Sequence, residues 1–583
     1  MNRRLAWAVL ALLCAGPACR GRGREAPAAA AGSTKPAAVR PTPRPPLGFL
    51  DESAEPAADG GVLRIRLNGE PTTLNAVLQS SLPEAVVLQF VQRNLLDFDS
   101  RLRLRPGLVR SWTASPDGRE FTLEIRPDAV WEDGRPVTAG DAVFTIHKIA
   151  DPKIPSNVFK PLFEDLESAQ ALDERRFRVR FRTPYAFREM SFVFPPLPEH
   201  RFAHQSFLKA RENRAPLANG PYRVVSWKAQ QSIVLERNPA YPGPRGHFDR
   251  VVFRIVPDDT TAYRLLTSGD LDEDQLNPVL KARAAGDPDF RACCRGVEFY
   301  NLDYYYIALN NRSPFFSDAR VRRAMTMLVD RAAIVRALYR GSARIISGPW
   351  APDSPAYDAN LTALPFDPPA AARLLDEAGW RDSDGDGIRD RDGRRFDFEL
   401  LVPEASEVGR QINEMLAAEL AKVGVTARVR TLEWATLVER VDAGEFVAAS
   451  LAWGAVDPNP DPYFYWHSSQ CAPNGLNNGC YRNPEADRVM EQARLEMDPG
   501  RRIAMFHRLH RILRDDAPAV FIVNASQKYG FGRRIRGLTT SPLGLFGIWP
   551  GPVGWFALPG AGPAPGDAPP GSEAVPSGAE PGP

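Results

Sequence analysis

The chain has 583 residues, 44% of them hydrophobic and 25% charged, which supplies apolar material for several buried cores and is too much for a disordered chain. Lys and Arg together number 73 against 71 Asp and Glu, a net charge of +2, which argues against a general polyanion or nucleic-acid binder because phosphate recognition needs surplus positive charge. Only 9 of the 73 cations are Lys and 64 are Arg, a skew we read as codon usage rather than a basic patch.

Residues 1–18 read as an export signal. Arg3 and Arg4 precede an apolar run from Leu5 to Ala15 that is too short to span a bilayer as a stable helix. Gly16, Pro17 and Ala18 then lead to Cys19. The pattern resembles a bacterial lipobox, in which the cysteine is acylated and becomes the mature N-terminus. Gly16 stands where Leu is usual, and cleavage after Ala18 with Cys19 left as a thiol is the alternative. Segment 19–60, rich in Ala, Pro, Gly and Arg with no periodic apolar face, is expected to be a tether, and 558–583 a disordered tail. No later segment offers about eighteen consecutive apolar residues. With Cys14 in the signal and Cys19 in the anchor, Cys471 and Cys480 read as a local disulfide closing a Gly/Asn-rich loop in an oxidising compartment. Cys293 and Cys294 stay open between a vicinal bridge, free thiols and a mixed pairing.

In chain order, Leu63, Ile65 and Leu67 alternate with Arg64 and Arg66 as a half-buried strand. Phe121, Leu123 and Ile125 alternate behind the turn Ser115-Pro116-Asp117-Gly118. Thr138, with Asp141 three residues on, opens a helix carrying Ala142, Val143 and Ile146. Phe177, Val179 and Phe181 alternate with Arg178, Arg180 and Arg182. Ser317 is expected to cap a helix through Val321, Ala324 and Leu328, and Asp367 one that ends at Gly379. A stripe of Val408, Ile412, Met415 and Leu416 ends at Gly424, and Val425, Ala427 and Val429 follow as a strand. Interleaved strands and helices define an α/β or mixed class.

Several stretches together carry a resemblance: Glu70-Pro71-Thr72-Thr73-Leu74-Asn75, Leu104 to Trp112, Trp131 to Ala142, Asn219-Gly220-Pro221-Tyr222, Arg237 to Tyr241, Pro314 to Ala324, Ala370 to Trp380, and Trp453 to Pro462. In this collinear order they resemble the family 5 extracellular solute-binding proteins of ABC transporters, which include oligopeptide-, dipeptide- and nickel-binding members. The resemblance implies an α/β, two-lobed periplasmic-binding-protein fold (class II, clamp-like) with an extra inserted subdomain. Lobe I would comprise 61–96, 218–308 and 522–557, the inserted subdomain 97–217, and lobe II 309–521. Hinge crossings are expected near Tyr305–Asn310 and Ala519–Val523, with ligand held between the lobes.

Peptide-binding relatives place an Asp, paired to the ligand's ammonium, in the loop after the strand matching Trp453. Asp457 aligns most naturally and Asp461 is the alternative, with Trp453 and Gly454 beside them. Against this stands a Pro-rich turn with solvated acids. Glu70 to Asn75, with Glu70 and Asn75 as its polar ends, would face the cleft and offer backbone groups to an extended ligand. The N–H groups of Ser80 to Glu84 at a helix start could receive a polar or anionic group. Tyr305, Trp350 and Tyr465 are cleft-wall candidates, with core packing as the competing reading. Dipeptide-binding relatives carry an Arg where this chain reads Pro403-Glu404-Ala405, which favours longer peptides or a non-peptide solute.

Asp382, Asp384, Asp386, Ile388 and Asp390 form the first half of a calcium-loop pattern, with Gly393 where the bidentate Glu belongs. An Asp/Gly turn is the simpler reading, and any calcium would be structural; no other cofactor is expected. His200/His204 and His507/His510 have helical spacing without a third ligand and read as helix-surface histidines. No nucleophile elbow, P-loop or zinc-protease signature is present, so a secreted hydrolase is disfavoured and no enzyme activity is expected. The expectation is therefore a monomeric, lipid-anchored receptor on the periplasmic or cell-surface side. It would capture an extended solute, an oligopeptide above all, for an ABC permease, touching the membrane only through its lipid. A sensory or chaperone-like module uncoupled from transport is the alternative.

Overall fold

The computed structural model describes residues 59–558 apart from 157, 203–204, 455–460 and 473–474. The export signal, Cys19, Asp457 and nearly all of the tether and tail lie outside the described residues.

A 12-stranded mixed sheet runs through the molecule. One half contains, from its edge inward, Thr426–Leu432, Asp397–Pro403, Ala448–Trp453 and Tyr304–Leu309. The other contains Glu273–Gln275, Val62–Leu67, Arg250–Ile255, Ser232–Arg237 and Tyr222–Lys228. Between them lies the 14-residue strand Ala519–Gly532. Its first residues pair with Tyr304–Leu309 and with Ala343–Ile345, its last with Cys294–Tyr300 and Glu273–Gln275. Pairing to the two consecutive strands breaks at Asn301–Asp303 and at Asn524–Ala525, so the crossing lies at the near edge of the expected Tyr305–Asn310 segment and just beyond Val523. Asn524 fixes this point: it is fully buried, donates to the carbonyls of Asn301 (2.9 Å) and Asp303 (2.6 Å), and accepts from Arg344.

The first strand differs from its half-buried reading. Leu63, Ile65 and Leu67 enter a core with Phe90, Phe253 and Trp555. Arg64 is buried as well, because neighbours pair on both edges and Asp272 and Asp274 meet Arg64 and Arg66 on the second face. The Thr138/Asp141 capping box is present, with Thr138 N–H donating to Asp141 at 2.9 Å. The helix Ala319–Met327 is capped by Asp318, not Ser317, its carboxylate accepting from Arg320 N–H at 2.8 Å; Asp and Ser cap about equally well, so composition alone does not choose between adjacent candidates.

A four-stranded antiparallel sheet, Val109–Ala114, Glu120–Ile125, Arg176–Phe181 and Leu166–Ala171, forms a separate body with its own core. Phe177, Val179 and Phe181 are wholly buried there. This segment also reaches the other half of the molecule. Tyr185 and Phe187 insert into a core built around Leu437, Phe506 and Phe521, with Phe187 stacked on Phe506 at 6.2 Å. Cys471 is bonded to Cys480, and Cys293 to Cys294.

Candidate functional site

A cavity of about 380 Å³ opens between the two halves of the sheet, within the size range of small-ligand sites. One wall is formed by Leu67, Asn68, Leu82, Val86, Gln275 and Asn277; the facing wall by Pro403, Ser406, Val408, Trp434, Leu451 and Gly454. Asp303, Tyr305 and residues 525–529 of the long strand line it at the crossing. The mouth helix Leu82–Val91 points its N-terminus here, and the N–H groups just before its first turn are occupied. The buried carboxylate of Glu84 accepts from Ser80 N–H (2.6 Å), Ser81 N–H (2.9 Å) and Thr72 N–H (3.1 Å), which takes Ser80 and Ser81 out of the set of N–H groups open to an anion.

Charge in the cavity is largely neutralised internally. The Arg66 guanidinium bonds Asp274 (2.8 Å), Asp259 (2.7 Å) and the carbonyls of Val256 and Pro257. Burial pushes the Asp274 carboxyl up to about 6 even though Arg66 pulls it down. Lys528 is buried and donates to the Ser526 carbonyl at 2.9 Å. Glu273 is 4% exposed and lines the cavity; burial, reinforced by the neighbouring Asp274 charge, pushes it up to about 8.

Of the site residues expected from sequence, Tyr305 and Gly454 line this cavity. Asp457 lies outside the described residues. The others are placed as follows. The Glu70 carboxylate turns away to accept from Trp227 Nε1 (2.8 Å) and Gln230 N–H (2.6 Å), holding a hairpin turn. Asn75 is buried, accepts from Val77 N–H (3.0 Å) and donates to Asn213 (2.8 Å), which makes it a cap. Trp350 packs in the core against Phe506 and His510. Asp461 is buried between Arg494 Nε (2.8 Å) and the Tyr185 hydroxyl (3.1 Å), where it ties the smaller body to the second half. Trp453 and Tyr465 pack edge to face at 4.4 Å, outside the cavity lining. His510 is wholly buried, not a surface histidine.

In the acidic loop, carboxylate oxygens of Asp382, Asp384 and Asp390 lie within 4.8 Å of one another and could hold a cation. Asp386 is directed instead to Arg395 (2.5 Å), and the Ile388 N–H donates to Asp386. Sequence reasoning missed Arg66, Asp259, Glu273 and Lys528. The signal available for Glu273 was an acid in a short run, Asp272-Glu273-Asp274, flanked by Leu271 and Leu276.

Residues 103–475 match the model of the bacterial extracellular solute-binding proteins, family 5. The oligopeptide-binding protein AppA of Bacillus subtilis is 26% identical, over 84% of this chain and 91% of its own. Protein XP55 of Streptomyces lividans is 30% identical over 85% and 89%, and the heme-binding protein A of Haemophilus influenzae 27% over 78% and 85%. The structure of Bacillus subtilis AppA in complex with a nonapeptide superposes with a TM-score of 0.72 at 25% identity, covering 86% of this chain and all of that one. Campylobacter jejuni NikZ with Ni(L-His) gives 0.73 at 23% identity over 85% and 99%. The chain belongs to the family 5 extracellular solute-binding proteins. Its fold is the two-lobed clamp of that family, and its class is a solute-binding receptor. Among the described residues no helix is long and apolar enough to cross a membrane.

Proposed function

We propose that the protein captures an extended solute, an oligopeptide above all, and delivers it to an ABC permease from a lipid anchor at Cys19. Lobe I is assigned to 61–96, 218–308 and 522–557, the inserted subdomain to 97–217, and lobe II to 309–521. The observation that carries the peptide reading is the strand Ala448–Trp453. One edge pairs with Tyr304–Leu309, but the other pairs with Asp397–Pro403 only through Ala448 and Ala449. Leu451 and Ala452, beyond that pairing, line the cavity, so their backbone edge is placed to receive an extended chain by strand addition. Contacts from both walls would favour the closed clamp by population shift.

Native mass spectrometry of the protein purified from its own cell envelope tests this. Mass increments that fragment as peptides are expected. Increments matching a metal chelate or a tetrapyrrole would overturn the peptide reading and leave the receptor class intact.

A further inference from the structure

The three-residue strand Glu273–Gln275 lies between Val62–Leu67 and the long strand. Its three neighbouring acids are treated unequally by the fold. Asp272 and Asp274 project to the face where arginines wait: Arg534 meets Asp272 at 2.7 Å and Arg66 meets Asp274 at 2.8 Å. Glu273, between them, projects to the opposite face, in register with Ile65 and Phe531, both 0% exposed. Among the described residues no side chain hydrogen-bonds or ion-pairs to it, and the backbone N–H of Arg66 is the donor that reaches its carboxylate. The Arg66 charge acts on it only through space, its guanidinium being engaged by Asp274 and Asp259; a carboxylate held this far from water without a contacting cation is costly, and it lines the ligand cavity.

We propose that Glu273 is a specificity-determining residue that receives a cationic group of the cargo, an ammonium or guanidinium, on the cavity floor. This deepens the peptide reading and rests on it, the cargo being a peptide that carries a positive charge to this position. Two further observations agree. Phe299 and Tyr529, stacked at 5.7 Å, both line the cavity, and aromatic faces suit the stem and charged head of Lys or Arg. Tyr529 lies within the electrostatic reach of Glu273. The charged groups facing this floor are Arg66 from the first strand, Lys528 from the long strand, Asp259, Asp274 and Asp303. With Glu273 ionised, the acids outnumber the cations by two, since Asp259, Glu273, Asp274 and Asp303 stand against Arg66 and Lys528.

A proton is coupled to this event. The Glu273 carboxyl, raised to about 8, is mostly neutral at pH 7 without cargo. An arriving cation favours the carboxylate, so the proton leaves to buffer and affinity for a cationic cargo rises from pH 6 to pH 9.

Titration calorimetry on the full, cargo-stripped protein uses three probes: the tetrapeptide Ala-Lys-Ala-Ala, its norleucine analogue and its N-acetylated form. The Lys peptide is expected to bind at least about tenfold tighter than the norleucine peptide. It should release about one proton at pH 7, read from the dependence on buffer ionisation enthalpy. Glu273→Gln, and the volume-matched Glu273→Met, should erase both the preference for Lys over norleucine and the proton release. If acetylation rather than norleucine removes the release, the cation is the terminal ammonium. Equal affinity for Lys and norleucine peptides with no effect of acetylation, or proton release that persists in Glu273→Gln, overturns the proposal. Should no peptide bind, spermidine is the second probe. Binding with Glu273-dependent proton release keeps the assignment and discards the peptide reading, and no binding discards both.

Discussion

His510 lies wholly inside the second half of the molecule, where its Nδ1 accepts from Asp358 N–H (3.0 Å), leaving Nε2–H to donate to the Ser347 hydroxyl (3.1 Å). Gly348 is required beside it, since a Cβ there would come within 2.4 Å of the imidazole. Burial holds this histidine down to about 4, against the pull of Asp358. The unfolded chain binds its proton near 6.5 and the folded protein does not, so the stability it contributes is present above 6.5 and lost as pH falls toward 4. The loss is roughly 3 kcal/mol. Chemical denaturation at pH 7, 5.5 and 4 should show this limb, and His510→Gln should flatten it; parallel losses in both proteins would contradict it. At this scale the sequence was least legible. Glu70 follows the first strand and invites a cleft role, yet its carboxylate is taken by Trp227, 157 positions away. Asp461 and Trp350 were likewise drawn inward by partners that nothing local announces. Tyr305 was readable in outline, since strand alternation turns it away from the face of Tyr304 and Tyr306, but Tyr304 lines the cavity too, which alternation does not foretell.

Elements with a strict period were legible for the opposite reason. Phe177, Val179 and Phe181 need no distant partner to declare a strand, and Asp367 with Pro368 and Pro369 declares a helix start wherever it is placed. The long strand Ala519–Gly532 was not read as a strand from sequence, where Ala519–Val523 figured only as an expected hinge crossing, because its length comes from serving both halves of one sheet, a property of the assembled fold. The segment at Tyr185–Phe187 has no period at all, yet it docks the smaller body onto the helices Pro484–Leu495 and Pro499–Asp516. The Ala186 N–H donates to the Arg494 carbonyl at 2.7 Å, and the Arg494 guanidinium lies over Tyr463 at 4.2 Å. Phe187→Ala should cost about 3–5 kcal/mol of stability, as for other buried aromatics truncated to Ala. It should also raise hydrogen exchange along those two helices. Unchanged stability and exchange would mean that the docking contributes nothing.

For the whole molecule, the cores divide as a clamp requires. One apolar cluster gathers around Phe90, Phe253 and Trp555, others gather on the far side of the crossing, and the cavity lies between. The pairing changes partner at Asn524 and at Asn301–Asp303, residues outside the apolar clusters, so a hinge placed there would let the halves move without exposing either core. The collinear stretches from Glu70 to Pro462 disclosed this architecture before any contact was known. They did not disclose the chemistry of the floor, since Glu273 acquires its setting only when three strands meet. The most direct test is small-angle scattering of the full protein, first stripped of cargo by unfolding and refolding and then reloaded with its own co-purified fraction. The radius of gyration should fall on loading, and the scattering profile should shift toward the closed shape. Identical profiles for the stripped and reloaded protein would contradict capture by closure.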